Sequence, residues 1–313
     1  MAKYVFGVDI GGTTVKIGLF TTDGVMVEKW EITTRTDEGG KYILGDIAQA
    51  VEGKLAEKAI DKSDVQGIGM GVPGPVKADG TVLRCVNLGW GIFNAAEELS
   101  KLIGLPVKVG NDANMAALGE MWQGGGKGYT NIIMVTLGTG VGGGIIIDGK
   151  MLSGVNGAGG EIGHIQVNDD ETEVCGCGRK GCLEQYTSAT GIVRMANTLL
   201  NTTDRPSALR NVQYVSAKAV FDAAKQGDEL ASEIVERHGK CLGKTLAQIA
   251  CVVDPEVFVI GGGVSKAGTI ITDTTEKYFK EYAFHACKNT KFTLATLGND
   301  AGMYGGACAI LND

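Results

Sequence analysis

Two apolar, strand-like runs flank the turn Asp9-Ile10-Gly11-Gly12-Thr13-Thr14 within residues 5–20, and Thr22-Asp23-Gly24 follows the second run. This pattern predicts a β-hairpin with an acidic residue at its first bend. Val25, Val27, Trp30 and Ile32 alternate through residues 25–36 as a third strand. Ile43, Ile47, Val51, Leu55 and Ala59 recur at intervals of four, which predicts an amphipathic helix over 41–60. Residues 65–72 read as a buried strand opening into the rigid loop Pro73-Gly74-Pro75. Asp79-Gly80 marks a hairpin turn, a helix follows near 94–103, and residues 105–109 form a strand. Gly110-Asn111-Asp112-Ala113-Asn114 then leads into a helix near 113–123. Hairpin, strand, helix, strand, helix, strand is an α/β order with a mixed sheet.

The first pattern recurs. Residues 131–147 run strand, glycine–threonine bend, apolar strand, with Asp148-Gly149 as the second turn. Thr136 falls at the Asp9 place and Gly138 at the Gly11 place. A repeat with this spacing predicts two similar lobes facing each other. Gln123 to Tyr129 is glycine-rich and links them. Residues 153–187 have little periodicity, and a loop this long needs something to hold it. Helices are expected over 188–199, 216–225 and 228–252, with Pro206-Ser207 between them and Gly239 and Gly243 interrupting the last. Residues 257–260 make a short strand entering Gly261-Gly262-Gly263-Val264-Ser265; a helix over 269–286 and a strand over 291–297 follow. The expected division is a lobe over 1–122 and a lobe over 123–298. The second holds the irregular segment 153–187 and the helical region 188–252. A final helix, 299–313, packs back on the first lobe.

Composition narrows this picture modestly. The 313 residues suffice for about two domains. The 49 glycines cluster at turns without a period, which favours tight ligand-wrapping bends over a collagen repeat. A net charge of −7 argues against a general nucleic-acid binder, though not against an anionic ligand held by backbone amides and a metal ion. No secretory leader or membrane-length apolar run is visible, and three of the eight cysteines crowd together while five scatter. That usage suggests a reducing cytoplasm with one metal site.

Candidate chemistry collects at the bends. Glycines let backbone N–H groups approach something bulky, and Thr13 and Thr14 add hydroxyls. Phosphate held by Gly11, Gly12 and Thr13, with Asp9 facing Mg²⁺, explains the mixture; a solvated glycine turn is the alternative. The second bend, Gly138-Thr139-Gly140, lacks an acid, so the metal belongs to the first lobe. Lys16 screens phosphate charge or lies on the sheet surface. No GxxxxGK[ST] is present, so this is no P-loop. Gly261-Gly262-Gly263 permits close approach of a flat ring or ribose.

Cys175-Gly176-Cys177-Gly178-Arg179-Lys180-Gly181-Cys182 can wrap three thiolates around one ion, and His164 supplies a fourth ligand. A Cys₃His set filled entirely by protein makes a structural zinc site; three reduced cysteines at a turn is the alternative, and a disulfide is a further one. Glu161 and Glu184 flank this set and, with Asn111 and Asn87, offer the carboxylates and amides that recognise neutral sugars. Asp112, after a strand and before a helix, is either a helix N-cap or a base that accepts a hydroxyl proton during phosphoryl transfer.

With these motifs in hand, the chain resembles the ROK family of bacterial glucokinases, within the hexokinase, actin and Hsp70-like ATPase superfamily. The resemblance spans nearly the whole chain. It rests on residues 9–13, 137–142 and 261–264, and most specifically on Glu161-Ile162-Gly163-His164 followed by the cysteine knuckle and Gly181-Cys182-Leu183-Glu184. It implies a two-lobed actin-like ATPase (ribonuclease H-like) fold with a mixed sheet in each lobe. It implies Asn111 and Asp112 as a sugar-binding pair with Asp112 the base, and Glu161 and Glu184 as acids on ring hydroxyls. His164 would ligate zinc through one ring nitrogen and face the sugar with the other. Asp9 would lie near Mg²⁺, and Gly261, Gly262, Gly263 and Val264 near the nucleoside of ATP. The implied protein is a cytoplasmic homodimer, or tetramer, acting on a small sugar, without nucleic acid or membrane. The expected reaction is phosphorylation of glucose at C6. The rivals are the same chemistry on fructose, mannose or N-acetylmannosamine, a non-catalytic sugar sensor, and a zinc-stapled structural protein.

Overall fold

The computed structural model describes residues 2–312. The chain begins with β1 (Tyr4–Ile10), β2 (Thr14–Thr21) and β3 (Met26–Thr33), then a short turn of helix, α1 (Asp37–Gly40), and the longer α2 (Ile43–Lys58). β4 (Val65–Val72), the two-residue strands β5 (Thr81–Val82) and β6 (Phe93–Asn94), α3 (Ala95–Ile103), β7 (Val107–Asn111) and α4 (Asp112–Gln123) follow. β8 (Ile132–Leu137), β9 (Val141–Ile147) and β10 (Lys150–Met151) precede a stretch with little regular structure. Beyond it come α5 (Glu184–Thr187), α6 (Ala189–Thr202), α7 (Ala217–Lys225), α8 (Glu229–Val253), β11 (Val257–Gly261), α9 (Thr269–Tyr282), β12 (Lys291–Leu294) and α10 (Ala301–Leu311).

The strands form two open five-stranded sheets, β3-β2-β1-β4-β7 and β10-β9-β8-β11-β12. Both are mixed and flanked by helices, the architecture of the two-lobed actin-like ATPase fold. The chain divides into two compact units. The first runs to Thr130 and takes in Gly144–Gly160 and the segment from Leu297; the second comprises Asn131–Gly143 and Glu161–Thr296.

In the first unit β1 pairs antiparallel with β2 and parallel with β4, which pairs parallel with β7. Period-two alternation gives the sheet two buried faces. Phe6, Val8, Ile10, Ile17 and Leu19 join Ile43, Ile47 and Val51 of α2 in one core cluster. Val5 and Phe20 point the other way, onto Met303, Ala307 and Ile310 of α10. That second face is cut back to glycine. A Cβ at Gly7 would lie 1.8 Å from the Met303 carbonyl oxygen, and one at Gly69 would lie 1.7 Å from that of Gly306. α10 therefore rests directly on the backbones of β1 and β4, and it meets α4 as closely: a Cβ at Gly305 would lie 1.6 Å from the Met115 carbonyl oxygen.

In the second unit β8, β11 and β12 run parallel, and Phe258, Phe279 and Phe292 pack with ring centroids 5.1–5.5 Å apart. α8 continues unbroken through Gly239 and Gly243, which are notches for α9 instead of interruptions. Two elements end earlier than the sequence pattern suggests. α9 stops at Tyr282 because Ala283 turns extended, and residues 285–287 make a separate 3₁₀ turn. β12 stops at Leu294, the last residue in register with β11, though the Ala295 N–H still donates to the Ile260 carbonyl at 2.9 Å.

The notch under α10 makes a testable demand. Gly305→Ala is expected to cost about 2 kcal/mol or more, the range for overpacking a core, in urea unfolding. Gly12→Ala, where a Cβ meets nothing within 4 Å, is expected to stay within about 0.5 kcal/mol of the parent.

Candidate active site

Asp9 shares the α10-facing side of β1 with Val5 and Gly7. It closes the strand beneath the N-terminus of α10, where a Cβ at Gly302 would stand 2.7 Å from its carboxyl carbon. Lys16 is its register partner on β2; Lys16 Nζ lies 3.9 Å from Asp9 Oδ2 and donates to the Asn299 carbonyl at 3.0 Å. Burial pushes the Asp9 carboxyl up to about 6; Lys16 opposes that rise, and the charge of Asp112 adds to it. A carboxylate this poorly compensated suits a cation. At the bend itself Gly11 N–H donates to the Thr14 carbonyl at 2.9 Å, and the Thr34 hydroxyl donates to the Gly11 carbonyl at 2.8 Å. Gly11, Gly12 and Thr13 are exposed and Thr14 half-buried.

Asp112 is the first residue of α4 and its Oδ1 accepts the Ala113 N–H at 2.8 Å, but the N-cap position belongs to its neighbour. Asn111 Oδ1 accepts from the N–H groups of Ala113 (3.0 Å) and Asn114 (3.2 Å), while its Nδ2 donates to the Gly74 carbonyl at 3.1 Å. β7 thus delivers Asn111 and Asp112 together at its C-terminal end, with Asp112 half-buried. Asn87 lies exposed in the 3₁₀ turn Val86–Leu88.

The remaining predicted residues lie in the second unit. Gly138 N–H donates to the Gly140 carbonyl at 3.0 Å, and α6 docks on this bend: Ala189 N–H donates to the Gly138 carbonyl and the Thr190 hydroxyl to that of Thr139, both at 2.8 Å. Next to it, His164, Cys175, Cys177 and Cys182 place one ligand atom each within 4.8 Å of one another. Cys177 Sγ and Cys182 Sγ are 3.6 Å apart, and Cys175 Sγ is 3.7 Å from His164 Nδ1. Sulfurs at tetrahedral corners about 2.3 Å from a zinc ion are separated by about 3.8 Å, so the donor set and its spacing fit a metal. Burial pushes the Cys175 thiol up to about 12, whereas the Arg179 backbone N–H holds Cys177 at about 6.

Nδ1 of His164 faces the thiols and Nε2 lies 3.9 Å from Glu161 Oε2. Glu184 Oε1 accepts from Cys175 Sγ at 2.9 Å and lies 3.8 Å from His164 Nδ1. The other oxygen of Glu184 abuts Gly140, where a Cβ would come within 2.7 Å. Glu184 accordingly joins the cysteine cluster to the second bend. A cleft of about 420 Å³ opens there, lined by Thr139, Gly140, Cys175, Glu184, Thr190 and Arg194. At the end of β11, Gly262 takes φ +84° and Gly263 and Val264 enter another cleft of about 350 Å³, with Ala189, Phe221, Ala267 and Lys218 around it.

Sequence reasoning missed Asn299 and Gly302, which frame Asp9, and Arg194 with Glu171, which brace the cysteine segment. Their partners lie far off in the chain, or they look like ordinary helix and loop residues, so no local pattern marks them.

The ROK family model matches residues 5–313. The chain belongs to the ROK family. It is a sugar kinase of that family, closely related to bacterial glucokinases. A glucokinase from Halalkalibacterium halodurans is 44% identical over 97% of this chain and 94% of its own length. An N-acetylgalactosamine kinase from Shewanella sp. (strain ANA-3) is 33% identical over 96% of this chain and 95% of its own. Among solved structures, a ROK family glucokinase from Streptomyces griseus in complex with glucose and AMPPNP superposes with a TM-score of 0.74 at 35% identity, covering 97% of this chain and 98% of that one.

The half-buried Asp9 of this ROK chain has a measurable cost. Its carboxyl titrates near 3.8 when unfolded and about 6 when folded, so the folded state binds that proton more tightly. The contribution of this one group to stability is therefore greatest below 3.8, falls as pH rises through 6, and stays reduced above it. Asp9→Asn is expected to be more stable than the parent at pH 7.5, by on the order of 2 kcal/mol after allowing for partial exposure. The difference is expected to vanish near pH 4, as read by chemical denaturation at both values.

Proposed function

We propose that this ROK kinase transfers the γ-phosphoryl of ATP to the C6 hydroxyl of glucose, giving glucose 6-phosphate and ADP. The observation that carries the reading is the arrangement of two carboxylates in one unit. Asp9 is half-buried and undercompensated, and Asp112 stands half-buried at the start of α4 beside a side chain already committed to capping. One acid is suited to a Mg²⁺ ion and the other to a proton. Glucose is chosen because the Halalkalibacterium relative, 44% identical, is a glucokinase; the Shewanella N-acetylgalactosamine kinase supports another sugar as the second reading, with fructose, mannose and N-acetylmannosamine as further rivals.

In this reading Asp112 accepts the C6 hydroxyl proton as the O6–P bond forms and the bond from the γ-phosphorus to ADP breaks. Its principal task is orientation, because the hydroxyl becomes acidic only as the new bond forms. Asn87 and Asn111 in the first unit, and Glu161, His164 and Glu184 in the second, are the proposed sugar contacts. Gly11, Gly12, Thr13, Thr14 and Lys16, and separately Gly138, Thr139 and Gly140, are the proposed phosphate contacts. The apolar cleft at Gly261, Gly262, Gly263 and Val264 takes the nucleoside. Mg²⁺ at Asp9 would neutralise phosphate charge. His164, Cys175, Cys177 and Cys182 would hold a structural Zn²⁺ that fixes Glu161 and Glu184 on a segment with little regular structure. The reading includes a cytoplasmic homodimer; among the described residues no helix is long and apolar enough to cross a membrane.

A sugar panel assayed by coupled ADP release is expected to give glucose the highest kcat/KM; a higher value for an N-acetylhexosamine would transfer the assignment to that substrate. Asp112→Asn is expected to bind glucose within a few-fold of the parent and to lose at least about 100-fold in kcat. Undiminished turnover at saturating sugar would remove Asp112 from its role.

A further inference from the structure

Ten residues, 165–174, separate His164 from Cys175, and the four ligands do not themselves fix that connection. Backbone bridges Gln166–Cys182 and Val174–Lys180 pin its two ends, and side chains outside the ligand set hold the stretch between. Glu171 Oε1 accepts the backbone N–H groups of Thr172 and Glu173, each at 3.0 Å. Glu171 Oε2 accepts Arg194 Nη2 at 2.7 Å and the Tyr186 hydroxyl, whose oxygen in turn accepts Asn168 Nδ2 at 2.8 Å. Arg194 Nη1 donates to Glu173 Oε2 at 2.9 Å and its Nη2 to the Gln185 carbonyl at 3.1 Å. The guanidinium also lies 5.2 Å from the Tyr186 ring centroid. Gln185 closes the loop: its Nε2 donates to the Glu173 carbonyl and its Oε1 accepts the Cys182 N–H, both at 3.0 Å.

One planar cation on α6 therefore grips residues 171 and 173, ahead of Cys175, and residues 185 and 186, behind Cys182. This is no ordinary surface ion pair: the Glu171 side chain is only 9% exposed, and its two oxygens accept from four donors. We propose that Arg194 is a positioning residue for the metal site, holding the four ligands in register ahead of the ion. Without it, the free energy of cation binding has to order the stretch around Glu171 and Glu173 as well as form the metal bonds. The proposal rests on reading the Cys₃His cluster as a zinc site.

The test is competition for zinc against a chromophoric chelator, under reducing conditions, with the full-length chain. Arg194→Ala is expected to lose about 10- to 100-fold in zinc affinity, the range for partners that orient metal ligands. Arg194→Lys is expected to recover part of that loss, because a single ammonium cannot span both flanks. Glu171→Gln reaches the same brace from its other end, so it remains informative should Arg194→Ala not fold. Its loss is expected to be similar, and the double variant no worse than the weaker single one. The glucose KM of Arg194→Ala is expected to rise at limiting zinc and return to the parent value at saturating zinc. Parent-like zinc affinity in a folded Arg194→Ala protein, additive losses in the double variant, or a KM still raised at saturating zinc would each overturn the brace. A parent that takes up no zinc would overturn the cluster reading, and the brace with it.

Discussion

A carboxylate pressed against a helix backbone sets the terms for the first unit. Asp9 can occupy its place beneath α10 only because the face of the sheet it shares is bare of side chains at Gly7 and Gly69, and because Gly302 leaves room for the carboxyl group. A bulkier face would lift α10 away, and Asp9 would be rehydrated like any surface acid. The close fit removes water, and the lost hydration raises the proton affinity of Asp9. Lys16 returns only part of the missing stabilisation from 3.9 Å. The unit thus holds an electrostatic deficit in its resting state, of the sign that a divalent cation relieves.

The second unit solves a different problem. Its bend and its acids lie on segments that make few backbone ladders, so side chains must do the ordering. Glu184 reaches from the thiols to Gly140, α6 hydrogen-bonds the bend through Ala189 and Thr190, and Arg194 grips both flanks of the knuckle from the same helix. α6 is therefore a shared support for the anion-type bend and the metal-type cluster. Both sets of contacts come from the first turns of that 14-residue helix.

Much of this was legible in the chain because its signals are local. The hairpin around Asp9, the strand 65–72, the α2 periodicity and the Cys₃His spacing each depend on residues within one element or one turn. The structure places them where the pattern indicates. What escaped depends on distant pairs. Gly302 matters through Asp9, nearly three hundred residues away, and Arg194 matters through Glu171 and Glu173 on an aperiodic loop. Gly239 and Gly243 read as breaks because glycine weakens a helix locally, yet packing against α9 overrides that preference. Asp112 also read as a cap; in the structure Asn111 holds the N-cap position, though Asp112 shares the Ala113 N–H with it.

Those bonds have a further consequence. A primary amide has two lone-pair sites and two N–H groups. In Asn111 both acceptor sites are taken by Ala113 and Asn114, and one N–H by the Gly74 carbonyl. A single N–H remains unspent, so this side chain can greet a visiting hydroxyl only through that hydroxyl's oxygen. The hydrogen of such a group is then left to point elsewhere, and the neighbouring residue in the chain carries a carboxyl group, one oxygen of which accepts the Ala113 N–H.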